Sequence, residues 1–127
     1  MHRSAKGAFQ VKLTPEKSDD YIARMAIEKT FKGDLEAASS GQMLSATTEV
    51  QGSAGYVAME RVSGTLHGRH GTFLLQHGGT MERGKTQLVI HVVPDSGTGE
   101  LAGLSGEMEI HVADGEHSYD FKYELKA

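Results

Sequence analysis

Lys29, Glu60 and His77 are polar residues standing where a β-strand would put apolar ones. Each shares the phase of its neighbours: Lys29 with Met25, Ile27 and Phe31, Glu60 with Tyr56, Ala58 and Val62, His77 with Phe73 and Leu75. Tyr119 and Tyr123 fall in the corresponding phase of the last strand. A carboxylate beside an imidazole on an inward face is a pair that general acid/base chemistry uses. Lys29 on such a face could act as a cavity cation for a carboxylate ligand or, once desolvated, form a Schiff base with a carbonyl. The hydroxyls of Tyr56, Tyr119 and Tyr123 could point into the same cavity. Each residue also has a plainer role. Glu60 and Lys29 can close an internal ion pair that fixes register. Lys29 can snorkel to the mouth of a barrel, and the tyrosines can be core residues with satisfied hydroxyls.

Other polar groups carry less. The chain has seven histidines, and His67 and His70 flank Gly68-Arg69 in an expected turn. Two histidines do not complete a zinc site, which needs at least three protein ligands. His91 and His111 fall on the outer phase, so neither a metal nor another cofactor is expected. Gly97-Thr98-Gly99 resembles a fragment of a phosphate loop but lacks the strand-to-helix context, and is expected to be a loop at a barrel end. Arg61 takes the phase opposite to Glu60. That places it outside with Val57, Met59, Leu74, Val89 and Val93, an outer face more apolar than a monomer needs. Met59, Arg61 and Val89 are therefore the candidate interface of a homodimer, with arginine as a common anchor.

The elements that must position these residues are strands. Phe9, Val11 and Leu13 alternate with polar residues, the period-2 pattern of a half-buried strand. The stretch Met25 to Leu35 resumes it, and Leu44, Ala46, Thr48 and Val50 form a weaker third strand. Tyr56 to Leu66, Phe73 to Met81, Leu88 to Val92, Met108 to Val112 and Tyr119 to Leu125 follow. Ser18 to Ala26 has room for one helical turn. Asp114-Gly115 is the strongest hairpin signal, placing Val112 opposite His117 and Met108 opposite Phe121. A loop at Arg83-Gly84 sets His77 opposite Ile90. A loop at Arg69-His70 would set Leu66 opposite Phe73 and Val62 opposite His77, making Glu60 a diagonal neighbour of His77. All three turns assign one common inner face. A two-sheet sandwich or a closed barrel would bury these faces; the expected fold is all-β, an eight-stranded antiparallel up-and-down barrel, because nearly all connections are short, whereas a Greek-key sandwich needs longer crossovers, and closure removes the edge strands. Eight strands leave an interior that side chains fill or that holds one small ligand.

The bulk properties agree. At 127 residues the chain is one domain by size, spanning residues 1–127. Thirteen basic and 17 acidic residues are interspersed, for a net charge of −4. No Lys/Arg cluster tracks a phosphate backbone, so nucleic acid is not an expected partner. No apolar run reaches the ~18 residues of a membrane span, and Met1 to Lys6 lacks the apolar stretch of a signal peptide. Cysteine is absent, which fits a reducing compartment. A cytoplasmic location is the expectation.

Several segments resemble a family of small bacterial proteins carrying a domain of unknown function. They include Gly41-Gln42-Met43-Leu44-Ser45, Glu60-Arg61-Val62-Ser63-Gly64-Thr65-Leu66-His67-Gly68-Arg69 and Phe73-Leu74-Leu75-Gln76-His77. The run Val93-Pro94-Asp95-Ser96-Gly97-Thr98-Gly99-Glu100-Leu101-Ala102-Gly103 and the run His117-Ser118-Tyr119-Asp120-Phe121 belong with them. The resemblance covers nearly the whole chain. It implies a barrel of the allene oxide cyclase type, distantly similar to lipocalins, and assigns no activity. Fold analogy alone does not carry chemistry. Two functions follow from the inner polar cluster: a module binding a small, mostly apolar ligand oriented by Lys29, Glu60, His77, Tyr119 and Tyr123, or an isomerase or cyclase working by confinement. A third expectation is a filled barrel acting through its oligomeric surface.

Overall fold

The structure, a computed structural model, describes residues 2–126. Eight antiparallel strands run in sequence order and close on themselves: β1 (His2–Pro15), β2 (Ala23–Gly33), β3 (Leu35–Thr47), β4 (Ala54–Leu66), β5 (Arg69–Glu82), β6 (Lys85–Val92), β7 (Leu104–Ala113) and β8 (Glu116–Leu125). Closure is made by β1 against β8, from His2 opposite Glu124 to Phe9 opposite His117. Among the described residues the only helical piece is the 3-10 turn Gly99–Leu101. Among the described residues no helix is long and apolar enough to cross a membrane.

The barrel has two unlike ends. Odd strands start at one end and even strands finish there, which gathers Leu35, Leu66, Phe73, Leu104, Phe121 and Tyr123, all buried. Phe73 and Phe121 stack at 5.9 Å, and Phe121 and Tyr123 at 5.3 Å. The 93–103 loop folds back over this end. It is held by Val93 N–H to Leu74 O (2.9 Å) and Thr98 N–H to Thr72 O (2.8 Å), and it buries Leu101. Each fully buried Leu or Phe there contributes about 1.5–3 kcal/mol from removal of apolar surface. Among the described residues the opposite end has no such plug. Leu13, Leu88 and Val112 remain largely exposed near its rim.

Turn chemistry sets the registers. Asp114 (φ 53°) and Gly115 (φ 79°) both take positive φ, as a type I′ hairpin demands. Val112 opposes His117 and Met108 opposes Phe121, as expected. Arg83 and Gly84 form a second such turn, which sets His77 opposite Ile90. The β4–β5 turn differs from expectation. It lies at His67-Gly68, where both residues have positive φ, and Leu66 opposes Arg69 and Val62 opposes Phe73. The pairing therefore shifts by four residues on β5. A shift by an even number keeps every side chain on its face, so the inner set is unchanged while His77 moves opposite Ala58.

Three other expectations are corrected. Met25 to Leu35 is not one strand: the chain reverses at Gly33-Asp34, and Leu35 opens β3. The phase of β3 is inverted relative to its apolar pattern. Leu35, Ala37, Ser39, Gly41 and Met43 face inward, while Leu44 lies outside and exposed. Small and polar residues occupy the inner face of β3 because bulky groups from β2 and β4 fill the space before it. Ser18 to Ala26 holds no helical turn; Asp19 Oδ1 accepts the N–H groups of Tyr21 and Ile22 (both 2.7 Å), and β2 then begins at Ala23.

Candidate functional site

Glu60 sits at the middle of the inner face of β4, between Gly41 of β3 and Leu75 of β5. Its side chain is 0% exposed. Room for it comes from Gly41, where a Cβ would lie 2.6 Å from Glu60 Cα and 2.8 Å from Glu60 Cβ. Any side chain there would displace the carboxylate's stem. The carboxylate thus lies across β3 toward β2. Its Oε1 accepts from Lys29 Nζ at 3.3 Å and stands 3.2 Å from His77 Nε2, while Oε2 accepts from Ser39 Oγ at 3.2 Å.

Lys29 and His77 reach this carboxylate from opposite sides. Lys29, from β2, runs its ammonium over the rings of Phe9 (5.3 Å) and Phe31 (5.9 Å), a favourable position for a desolvated cation. His77, from β5, lies diagonal to Glu60, with the Tyr56 ring 6.4 Å away. Burial pushes the Glu60 carboxyl up, but the hydrogen bond from His77 and the charge of Lys29 outweigh it and hold the group below its ordinary value. Glu60 is therefore ionised at neutral pH. Burial, followed by the negative charge of Glu60, pushes the Tyr56 hydroxyl up. Among the described residues no buried side-chain nitrogen or oxygen lacks a partner.

The cluster forms the floor of a cavity of about 220 Å³ at the open end. Lys29 and His77 line it; Glu60 does not. Its walls are apolar, with Val11, Ile27, Met43 and Ile110 among them. A second space of about 380 Å³ adjoins it and shares Met43, Tyr56 and Leu88. The Tyr56 ring lies against Gly79, where a Cβ would stand 2.5 Å from the ring. Small-molecule sites typically span roughly 300–1,000 Å³. The floor cavity alone falls below that range, so an occupant of ordinary size would use both spaces.

Of the residues picked out from the sequence, Lys29, Glu60 and His77 meet. Tyr119 and Tyr123 face inward but lie toward the closed end and do not join them. The Tyr119 hydroxyl accepts from Leu35 N–H (2.9 Å) and stands 2.9 Å from Lys32 O, pinning the β2–β3 turn. The Tyr123 hydroxyl bonds His67 Nδ1, and His67 Nε2 stands 3.6 Å from Asp34 Oδ2. Ser39, Gly41 and the cation-holding Phe9 were not picked out. Ser39 and Gly41 carry the inward phase of Leu35, a signal hidden by the apolar residues on the outer phase of β3. Among the described residues no group of three or more His, Cys, Asp or Glu side chains is placed to hold a metal.

On the outside, Leu44, Val57 and Val89 fall in one row across β3, β4 and β6, interrupted on β5 by Gly78. Met59 lies one row away, and all four side chains are exposed. Arg61 is exposed on the same face, opposite Ser40 and Leu74. Leu74 and Val93 do not belong to this open patch, because the 93–103 loop half-covers them.

The sequence profile of a family described as "Protein of unknown function (DUF3224)" matches residues 5–123. The chain belongs to the DUF3224 family. A solved structure from Shewanella oneidensis MR-1, titled as a protein with unknown function from the same family, is similar to it with a TM-score of 0.95. The two are 49% identical over 100% of this chain and 99% of the other. A search of curated proteins finds no match. The DUF3224 match runs from β1 to β8, so it takes in all three residues of the Glu60 cluster.

Proposed function

We propose that this DUF3224 protein is a binding module whose open barrel end takes a small, mostly apolar ligand by its polar end. Lys29 and His77 touch the ligand, and Glu60 holds both in place. The observation that carries the reading is the asymmetry of the floor cavity. Its walls are largely apolar, Lys29 and His77 converge on one carboxylate, and that charge is withheld beneath. A barrel needing only stability would fill this space as it fills the other end. The test is native mass spectrometry of protein taken directly from cells, beside methyl NMR with octanoate, octanol and octylamine added. A retained small molecule, or shifts confined to Ile27, Met43 and Ile110, supports the reading. Absence of both removes it.

A second reading has its own observation. The exposed Leu44, Val57 and Met59 line a groove of about 360 Å³ over the bare Gly78, with Val89 opposite Gly78 on β6, which supports a homodimer built through Met59, Arg61 and Val89. Sedimentation should give a dimer at micromolar concentration and a β-rich monomer for Met59→Asp with Val89→Asp. A wild-type monomer removes that interface.

A further inference from the structure

We propose that the polar end of the ligand is a carboxylate and that the site takes up one proton, at His77, as the carboxylate enters. This rests on the reading of the open end as a ligand site and specifies its chemistry. The first ground is which groups face the cavity. Lys29 and His77 line it, while Glu60 is 1% exposed and does not. An incoming group therefore meets an ammonium and an imidazole edge. An amine would meet a cation, and the carboxylate it needs is already engaged by Lys29, His77 and Ser39. Lys29 keeps capacity for an acceptor, since an ammonium has three donors and among the described residues Glu60 is its one hydrogen-bond partner.

The second ground is the tautomer of His77. Nε2 stands 3.2 Å from an oxygen of Glu60. An ionised carboxylate only accepts, so Nε2 carries the hydrogen. In the neutral ring Nδ1 is then a lone pair, the nitrogen left for anything in the cavity. A carboxylate cannot bond a lone pair. Protonation turns Nδ1 into a donor and makes the bond available. Charge balance points the same way. Lys29 and Glu60 cancel, and a second buried carboxylate beside Glu60 needs a second cation. The proton comes from solvent, and only hydrogen bonds form.

The other groups facing His77 do not supply that cation. Tyr56 on β4 is a neutral phenol. His117 on β8 lines the same cavity, with its ring against Phe9 at 5.2 Å. From β1, β3, β6 and β7 the lining is Val11, Met43, Leu88 and Ile110, all apolar. His117 is the one competing proton acceptor, so the experiment includes it.

The experiment is isothermal titration calorimetry of octanoate into the whole protein, in two buffers of different ionisation enthalpy near neutral pH. Roughly one proton should be taken up per octanoate bound, with affinity rising as pH falls. Octanol and octylamine should bind at least about tenfold more weakly, the scale of one charge-assisted hydrogen bond. His77→Asn should abolish proton uptake and weaken octanoate by a similar factor, while His117→Asn leaves uptake intact. Should His77→Asn fail to fold, the wild-type buffer comparison decides alone. Octanoate binding without proton uptake, octanol binding as tightly, or octylamine binding more tightly overturns this inference and leaves the site reading standing. Binding of none of the three overturns this inference and, with no small molecule retained from cells, the site reading too.

Discussion

The two ends of this barrel are made from the same strands and treat their interiors in opposite ways. At the closed end, Phe73, Phe121 and Tyr123 stack in a file, Leu101 covers them, and the tyrosine hydroxyls are tied to turns. At the open end, the layer that would continue the file holds Lys29, Glu60 and His77, and no loop covers it. One half supplies the apolar burial that holds the fold; the other carries charges whose desolvation a well-packed apolar layer would avoid. The seam sharpens the contrast. β6 and β7 show a single register pair, His91 opposite Glu107, whereas every other neighbouring pair shares a long ladder. Apolar burial is concentrated at the closed end, and the end with less of it opens locally at lower cost.

The comparison breaks or sharpens at four positions. Phe121→Ala should cost about 3–5 kcal/mol, the range for a large core aromatic, read by urea unfolding. A loss near zero would mean the closed end is not where the stability resides. Glu60→Gln should cost about 3 kcal/mol at neutral pH. That is the low end for breaking a buried pair, because Lys29 and His77 border a mouth that water can enter. Its pH dependence has a definite sign. Folding holds the Glu60 carboxyl below its ordinary 4.5, so its contribution is complete above that value and is lost as pH falls through the lower folded-state value. Unfolding curves of wild type and Glu60→Gln should thus converge in acid. A gap that stays constant with pH would mean that charge is not what Glu60 contributes.

Smaller effects separate the ends further. Gly115→Val should cost about 1–3 kcal/mol, since a β-branched residue is strained at φ 79° in a type I′ turn. A wild-type melting temperature would show that the open-end hairpin tolerates another geometry. Leu88→Ala, at an exposed rim position, should change stability by less than about 1 kcal/mol. A loss as large as that of Phe121→Ala would show that the open end is packed and would remove the contrast.

Much of this was legible in the residues alone. Alternation at period 2 with Asp114-Gly115 and Arg83-Gly84 was enough for most of the strands, two registers and the inner face of every strand but β3, because side-chain phase and turn type are local properties of the chain. That same phase put Lys29, Glu60 and His77 on one surface. It survived the misplaced β4–β5 turn because the four-residue error on β5 preserved parity. The inverted phase of β3 was not legible. Leu44 is apolar and Ser39 polar, and only the barrel's closure places Glu60 and Lys29 in the space before Ser39 and Gly41. Phase also could not separate the tyrosines from the polar cluster. Tyr119 and Tyr123 share its face, but the height of a residue along the barrel axis depends on the stagger of all eight strands. Sequence determined which way each side chain points; only the closed tertiary structure decided at which end it arrives and whom it meets there.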